Sequence, residues 1–232
     1  VKEGRLHIAA AALKDGGIEG WWIPQYVADA HPEIKTIDDA LARPDLFPSV
    51  ENKKRGVIYG CPSGWVCQIT TAQAFKAWDA KKKGFDLKDP GSAAGLDGAI
   101  AKSYQRQEPW LGYYWAPTSI LGKYKMVKLD AGVPFDQAEW DRCNSQARCA
   151  DPKKNDWSKS EVVTVVTDNF KKSGGDANEY LSKRAWGNDT VNQLLAWMSD
   201  NQATGEDGAR YFLKNNIDVW SDWVSPAIAA KI

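Results

Sequence analysis

Residues 59–67 read Tyr59-Gly60-Cys61-Pro62-Ser63-Gly64-Trp65-Val66-Cys67. In front of them Val57-Ile58-Tyr59 is a short β-branched run, the mark of a buried strand. Behind them Ile69, Ala72, Phe75 and Trp78 recur at near-helical spacing until Gly84 stops the run. The nonapeptide is therefore a turn from strand to helix, bracketed by two cysteines and carrying a tryptophan beside turn formers. The chain repeats that alternation further on. Ser92 to Gln107 is amphipathic, with Leu96, Ile100 and Tyr104 at i, i+4 and i+8. Trp110-Leu111-Gly112-Tyr113-Tyr114-Trp115 is an aromatic strand that ends in Ala116-Pro117-Thr118, and Met126-Val127-Lys128-Leu129 is a further strand. Strands alternating with helices predict an α/β fold with a mainly parallel sheet.

Toward the N-terminus, Leu6 to Ala12 and Trp21 to Ile23 are apolar runs split by Gly16, Gly17 and Gly20, which reads as strand, turn, strand. From Gly132 to Ser160 the composition turns polar and loop-like, as expected of a connection between two lobes. Glu161 to Thr167 predicts one more buried strand. The remainder reads as four helices over 176–186, 189–201, 207–215 and 218–224, each opened by an Asp able to cap its N-terminus.

The chain has 232 residues, with 30 Lys+Arg against 30 Asp+Glu, a net charge of zero and no long block of one sign. That balance argues against a counterion-releasing nucleic-acid binder and against a polybasic membrane-surface protein. No run approaches the ~20 apolar residues of a membrane span. The length suits one large domain or two small lobes. The unusual figure is 12 Trp, which suggests that some indole serves as binding surface. Cys61/Cys67 and Cys143/Cys149 each bracket a turn, so two local disulfides are the simplest reading and imply an extracytoplasmic protein. Zinc is the alternative, but the spacing is not C-x₂-C and the nearest His, His31, is remote in sequence. The N-terminal Val1-Lys2-Glu3 does not resemble a signal peptide, so the chain reads as a mature or trimmed form.

The strand-to-helix turn points the backbone N–H groups of Val66, Cys67 and Gln68 away from the helix, a setting for an anion. Trp65 beside them offers a π face for a cation. Together they suit a small zwitterion. The exit of the 110–115 strand is the second candidate, because strand ends in α/β sheets host ligands. Trp78, Trp186, Trp197, Trp220 and Trp223 lie at helical spacing and read as core anchors, with Trp140 and Trp157 packing over the polar connection. Tyr113 and Tyr114 alternate, so at most one faces a site. Asp97 and Glu108 read as a solvated helix face and not as a catalytic pair. Neither His7 nor His31 sits in a nucleophile setting. Without a nucleophile elbow, a metal cluster or a Gly-rich phosphate loop, no enzyme, no metal and no cofactor is expected.

The string from Tyr59 to Cys67, followed by Glu108-Pro109-Trp110-Leu111-Gly112-Tyr113-Tyr114-Trp115-Ala116-Pro117-Thr118, resembles the glycine betaine-binding family. These are the substrate-binding proteins of ABC importers for glycine betaine, proline betaine and choline. Leu121-Gly122-Lys123-Tyr124, the 160–167 run and Phe212-Leu213-Lys214-Asn215-Asn216 with Trp220 and Trp223 carry the resemblance over nearly the whole chain. It implies two α/β lobes that close over the ligand like a Venus flytrap. Lobe I would be residues 1–20 with 130–232, and lobe II residues 21–129. It implies that Trp65 and Trp115 wall an aromatic box, that Val66 and Cys67 donate to a carboxylate, and that Cys61 pairs with Cys67. Trp21 is a third candidate near the ligand. It also implies a membrane permease as partner and an extracytoplasmic location.

Family members begin with a further stretch of the first lobe that nothing in this sequence matches; the resemblance starts near Gly4. The expectation is therefore an incomplete lobe I, with weakened binding or self-association. A secreted carbohydrate-binding module with Trp platforms is the alternative, disfavoured because few Asn, Asp or Gln acceptors flank Trp65 and Trp115.

Overall fold

The computed structural model describes residues 5–232, so Gly4 and the first residues of the expected lobe I lie outside the described residues. Among the described residues seven strands occur in chain order: β1 (Leu6–Ala11), β2 (Ile18–Pro24), β3 (Gly56–Tyr59), β4 (Phe85–Lys88), β5 (Gly112–Ala116), β6 (Met126–Lys128) and β7 (Val163–Thr167). The chain forms two compact units. Of the described residues, the first gathers 5–18 with Ala116–Lys123 and Lys159–Ile232; the second gathers Glu19–Trp115 with Tyr124–Ser158.

In the second unit five strands form one sheet in the order β4-β3-β5-β2-β6. β3 runs parallel to both β4 and β5, while β2 and β6 pair antiparallel from Trp22↔Lys128 to Pro24↔Met126. The sheet is therefore mixed, parallel across β4-β3-β5 and antiparallel at β2-β6. β2 and β6 come together from far apart in the chain, whereas the helical crossovers Val66–Ala77 and Ala93–Arg106 let the strands beside β3 run parallel to it. Trp21, Ile23, Ile58, Trp78, Phe85, Tyr114, Leu96 and Ile100 are almost wholly buried and make up the core on either side of the sheet.

Residues Tyr124–Ser158 also belong to this unit, whereas the sequence placed the lobe boundary at 130. The polar stretch is not a free connection. Its Cys143–Cys149 disulfide closes the loop that follows the Trp140–Asn144 turn, and Gln73 of the 66–77 helix donates to the carbonyls of Gln146 and Cys149. Buried Asn155 and Asn144 share a further hydrogen bond of 2.7 Å. Polarity here marks side chains that hold loops together.

In the first unit β1 pairs antiparallel with β7, so β1 and β2, the expected strand, turn and strand, enter different sheets. Buried Phe212, Trp220 and Trp223 form the helical core, with Trp186 packed against it. Gly122 admits the Asn192 carbonyl so closely that a Cβ would lie 2.1 Å from it, which lets the Ser119–Lys123 and Asn188–Asp200 helices pack backbone to backbone. The expected Asp caps shift by a few positions. Asp207 sits at the third position of Gly205–Asn215, where it completes a capping box with the N-cap Thr204. Asp189 lies in the first turn of a helix whose N-cap is Gly187. No helix among the described residues is long and apolar enough to cross a membrane.

Candidate functional site

Trp65 is the N-cap of the Val66–Ala77 helix, with extended backbone (φ −90°, ψ 151°) and no side-chain hydrogen bond that caps the helix. The contrast with the Thr36/Asp39 and Thr204/Asp207 capping boxes is chemical: there a threonine hydroxyl accepts a first-turn N–H and the aspartate carboxylate accepts the N-cap N–H. At Trp65 an apolar side chain takes the cap position, and among the described residues no acceptor receives the N–H of Val66 or Cys67. The third donor named from the sequence is taken, because Gln68 N–H donates to the Trp65 carbonyl at 3.1 Å. Two free donors at a helix start remain, with the positive end of the helix dipole behind them.

The loop that presents them is fixed on several sides. Cys61 and Cys67 form a disulfide with Cα atoms 5.7 Å apart. Gly64 adopts φ +88°, which a side chain would resist, and its N–H donates to Gln68 Oε1 at 3.2 Å. Gln68 Nε2 donates to Ser63 Oγ, and the Ser63 hydroxyl donates to Asp89 at 2.5 Å. That hydroxyl, with the Gly91 N–H, holds the Asp89 carboxyl below the usual range.

Trp115, near the end of β5, meets Trp65 edge to face, with ring centroids 5.5 Å apart and planes inclined by 65°. Behind it Tyr114 and Tyr113 stack on Trp115 at 4.7 and 6.1 Å. Trp65 is 40% exposed and Val66 79%, so the corner made by the two indoles opens to solvent with the free N–H groups at its edge. Tyr113 and Tyr114 are both buried, so neither presents its ring to the corner as an open face. The Tyr113 hydroxyl donates to Glu19 at 2.8 Å; burial first, then the adjacent carboxylate, pushes the phenol well above its ordinary value. It stays a protonated donor at any physiological pH.

Two side chains leave the positions the sequence suggested. Trp21 has no exposed surface; its ring packs between Trp78 and Trp157, each 6.2 Å away by centroid, so in this conformation it is a core anchor and not a wall of the corner. Asp97 is not merely solvated: it accepts the Tyr114 hydroxyl at 2.6 Å and ties the 93–106 helix to β5. Glu108 is exposed, as expected. Sequence reasoning missed the loop-bracing side chain of Gln68, and Asp89 and Glu19 altogether. The one available signal was Glu19 itself, a charged residue inside an otherwise apolar strand.

Two larger hollows lie away from these residues. One of about 390 Å³ in the first unit is lined by Trp186, Phe212, Trp220 and Trp223; another of about 430 Å³ in the second lies beside Tyr59 and Trp110. The first is the interior of an aromatic helical core and offers few polar groups to orient a ligand. The Trp65 corner is an open surface that combines aromatic faces with free backbone donors. No group of three or more His, Cys, Asp or Glu among the described residues is placed to hold a metal ion.

Comparison with known proteins finds likeness over most of the chain. The glycine betaine, L-proline ABC transporter binding protein ProX from Borrelia burgdorferi superposes with a TM-score of 0.53 at 20% identity, over 98% of this chain and 73% of its own. Lactococcal OpuAC, in its closed form with glycine betaine, gives 0.55 at 19% identity, over 95% and 71%. An ABC-transporter choline binding protein complexed with choline gives 0.54 at 16% identity, over 97% and 69%. At these identities the likeness is one of fold. The family model OpuAC, the substrate binding domain of ABC-type glycine betaine transport systems, matches residues 1–215. The chain belongs to that family of substrate-binding domains.

Proposed function

We propose that the protein captures a small quaternary-ammonium solute, glycine betaine or a close relative, and delivers it to a membrane ABC permease from outside the cytoplasm. The family is one of binding proteins and not of enzymes, so the work is recognition. The observation that carries the reading is the pairing of Trp65 and Trp115 at 5.5 Å beside the free N–H groups of Val66 and Cys67. A trimethylammonium group has no N–H to donate, so its selectivity must come from ring faces. Each well-placed, desolvated contact contributes about 2 kcal/mol. A carboxylate at the other end of the same small molecule would take the two helix-start donors. Zero net charge suits capture of a zwitterion, which gains little from a large field of either sign.

Both disulfides fit an oxidising compartment, which supports the extracytoplasmic location. The lobe division drawn from the sequence, with Trp21 near the ligand, is not part of this reading, since Trp21 lies in the core. Intrinsic Trp fluorescence tests it. Titration with glycine betaine and choline should give saturable changes and glucose none; a response to glucose alone would reverse the reading in favour of a carbohydrate-binding module.

A further inference from the structure

We propose that Glu19 sets the charge preference of the site, raising affinity for a net-positive quaternary amine of the choline class relative to a zwitterion. This rests on the reading of the Trp65/Trp115 corner given above.

Glu19 and Trp115 are the first and last residues of the continuous stretch that the second unit contributes between two chain crossings. Glu19 is half-buried, and among the described residues its carboxylate has one partner, the Tyr113 hydroxyl at 2.8 Å, and no lysine or arginine. A carboxylate partly withdrawn from water and left without a counter-charge is costly unless something supplies one. Tyr113 and Trp115 lie two residues apart on one face of β5, rings 6.1 Å apart and inclined by 29°. A chain of carboxylate, phenol and indole therefore leads from Glu19 into the corner. Donation of the phenol O–H to a carboxylate makes the Tyr113 ring richer in electrons, which strengthens the negative face stacked behind Trp115. A cation in the corner is thus the missing counter-charge. For choline the attraction is uncompensated, whereas in glycine betaine the attached carboxylate is repelled and cancels most of it. At an effective dielectric near 20, a unit charge acting over a separation on the order of 10 Å is enough in general to change a cation's affinity roughly tenfold.

The test is calorimetric titration of choline and glycine betaine into the wild-type chain, Glu19→Gln and Glu19→Asp. Glu19→Gln should weaken choline about tenfold and leave glycine betaine within about twofold. Glu19→Asp, which keeps the charge, should hold the ratio of the two affinities near that of the wild type. If Glu19→Gln does not fold, the wild-type chain still reads the effect, since added salt should weaken choline more than glycine betaine. A wild type that binds both ligands, with a ratio unmoved by Glu19→Gln or by salt, overturns the role of Glu19 alone. A wild type that binds neither overturns the reading of the corner, and this proposal with it.

Discussion

Trp65 and Trp115 meet edge to face at 5.5 Å although fifty positions separate them in the chain, one capping a helix and the other near the end of a strand. The edge of one ring against the face of the other is a favourable aromatic geometry. Because Trp65 is 40% exposed, its side chain contributes little to the core, which separates its role in binding from any role in folding.

Trp65→Ala should therefore lower affinity for glycine betaine by more than about tenfold, the loss of one desolvated cation–π contact. Its melting temperature should stay close to that of the wild type. Calorimetric titration and a thermal melt on the same preparation check both halves. Unchanged affinity would remove Trp65 from the site.

Trp21 is expected to behave in the opposite way. It is wholly buried between Trp78 and Trp157, so Trp21→Ala should cost about 3–5 kcal/mol of stability. Urea unfolding measures this directly. If Trp21→Ala unfolds as the wild type does while ligand binding is lost, Trp21 is a site residue after all.

The Cys61–Cys67 disulfide closes a loop of only six residues' separation, so by loop entropy its removal should cost about 2 kcal/mol. Its larger effect should be on the orientation of the Val66 and Cys67 donors. Replacing both cysteines with serine should weaken glycine betaine more than choline, because only the former has a carboxylate to place on those donors. Equal weakening of both would show that the loop serves the aromatic corner alone.

Acid should destabilise the fold through its capping boxes. The Thr36 hydroxyl and N–H hold the Asp39 carboxyl below its usual range, and Thr204 does the same for Asp207. A carboxyl depressed in the folded state adds stability above the ordinary aspartate value of about 3.9, and that stability is lost as pH falls through the folded value. The urea midpoint should drop between about pH 5 and pH 3, and less steeply in an Asp39→Asn/Asp207→Asn double variant. An identical slope in the variant would assign the acid sensitivity to other groups.

Much of this was legible in the sequence because it rests on local chemistry. The 59–67 turn, the helices at 66–77 and 93–106 and both disulfides follow from turn residues, apolar spacing and paired cysteines near each other in the chain. The donors at Val66 and Cys67 follow from the same turn. What was not legible depends on long-range partners. Whether Trp21 faces ligand or core is decided by Trp78 and Trp157, far from it in sequence. The placement of 130–158 is decided by Gln73 bonding to Gln146 and Cys149, which no periodicity reveals. Asp97 looked solvated because its partner, Tyr114, is on a strand beyond the helix. The capping aspartates were misplaced by a few positions because Thr is an equally good cap, and an Asp three residues later completes the box.

Recognition of a quaternary ammonium by ring faces is tested most directly by removing the charge and keeping the shape. Glycine betaine and its neutral-headed isostere 3,3-dimethylbutanoate share a carboxylate and three methyl groups, and differ in nitrogen against carbon at the centre. Calorimetric titration of the wild-type chain with each should give a Kd for glycine betaine at least about tenfold below that of the isostere, the worth of one or more cation–π contacts. Equal affinities, or binding of the isostere alone, would contradict capture by the Trp65/Trp115 corner.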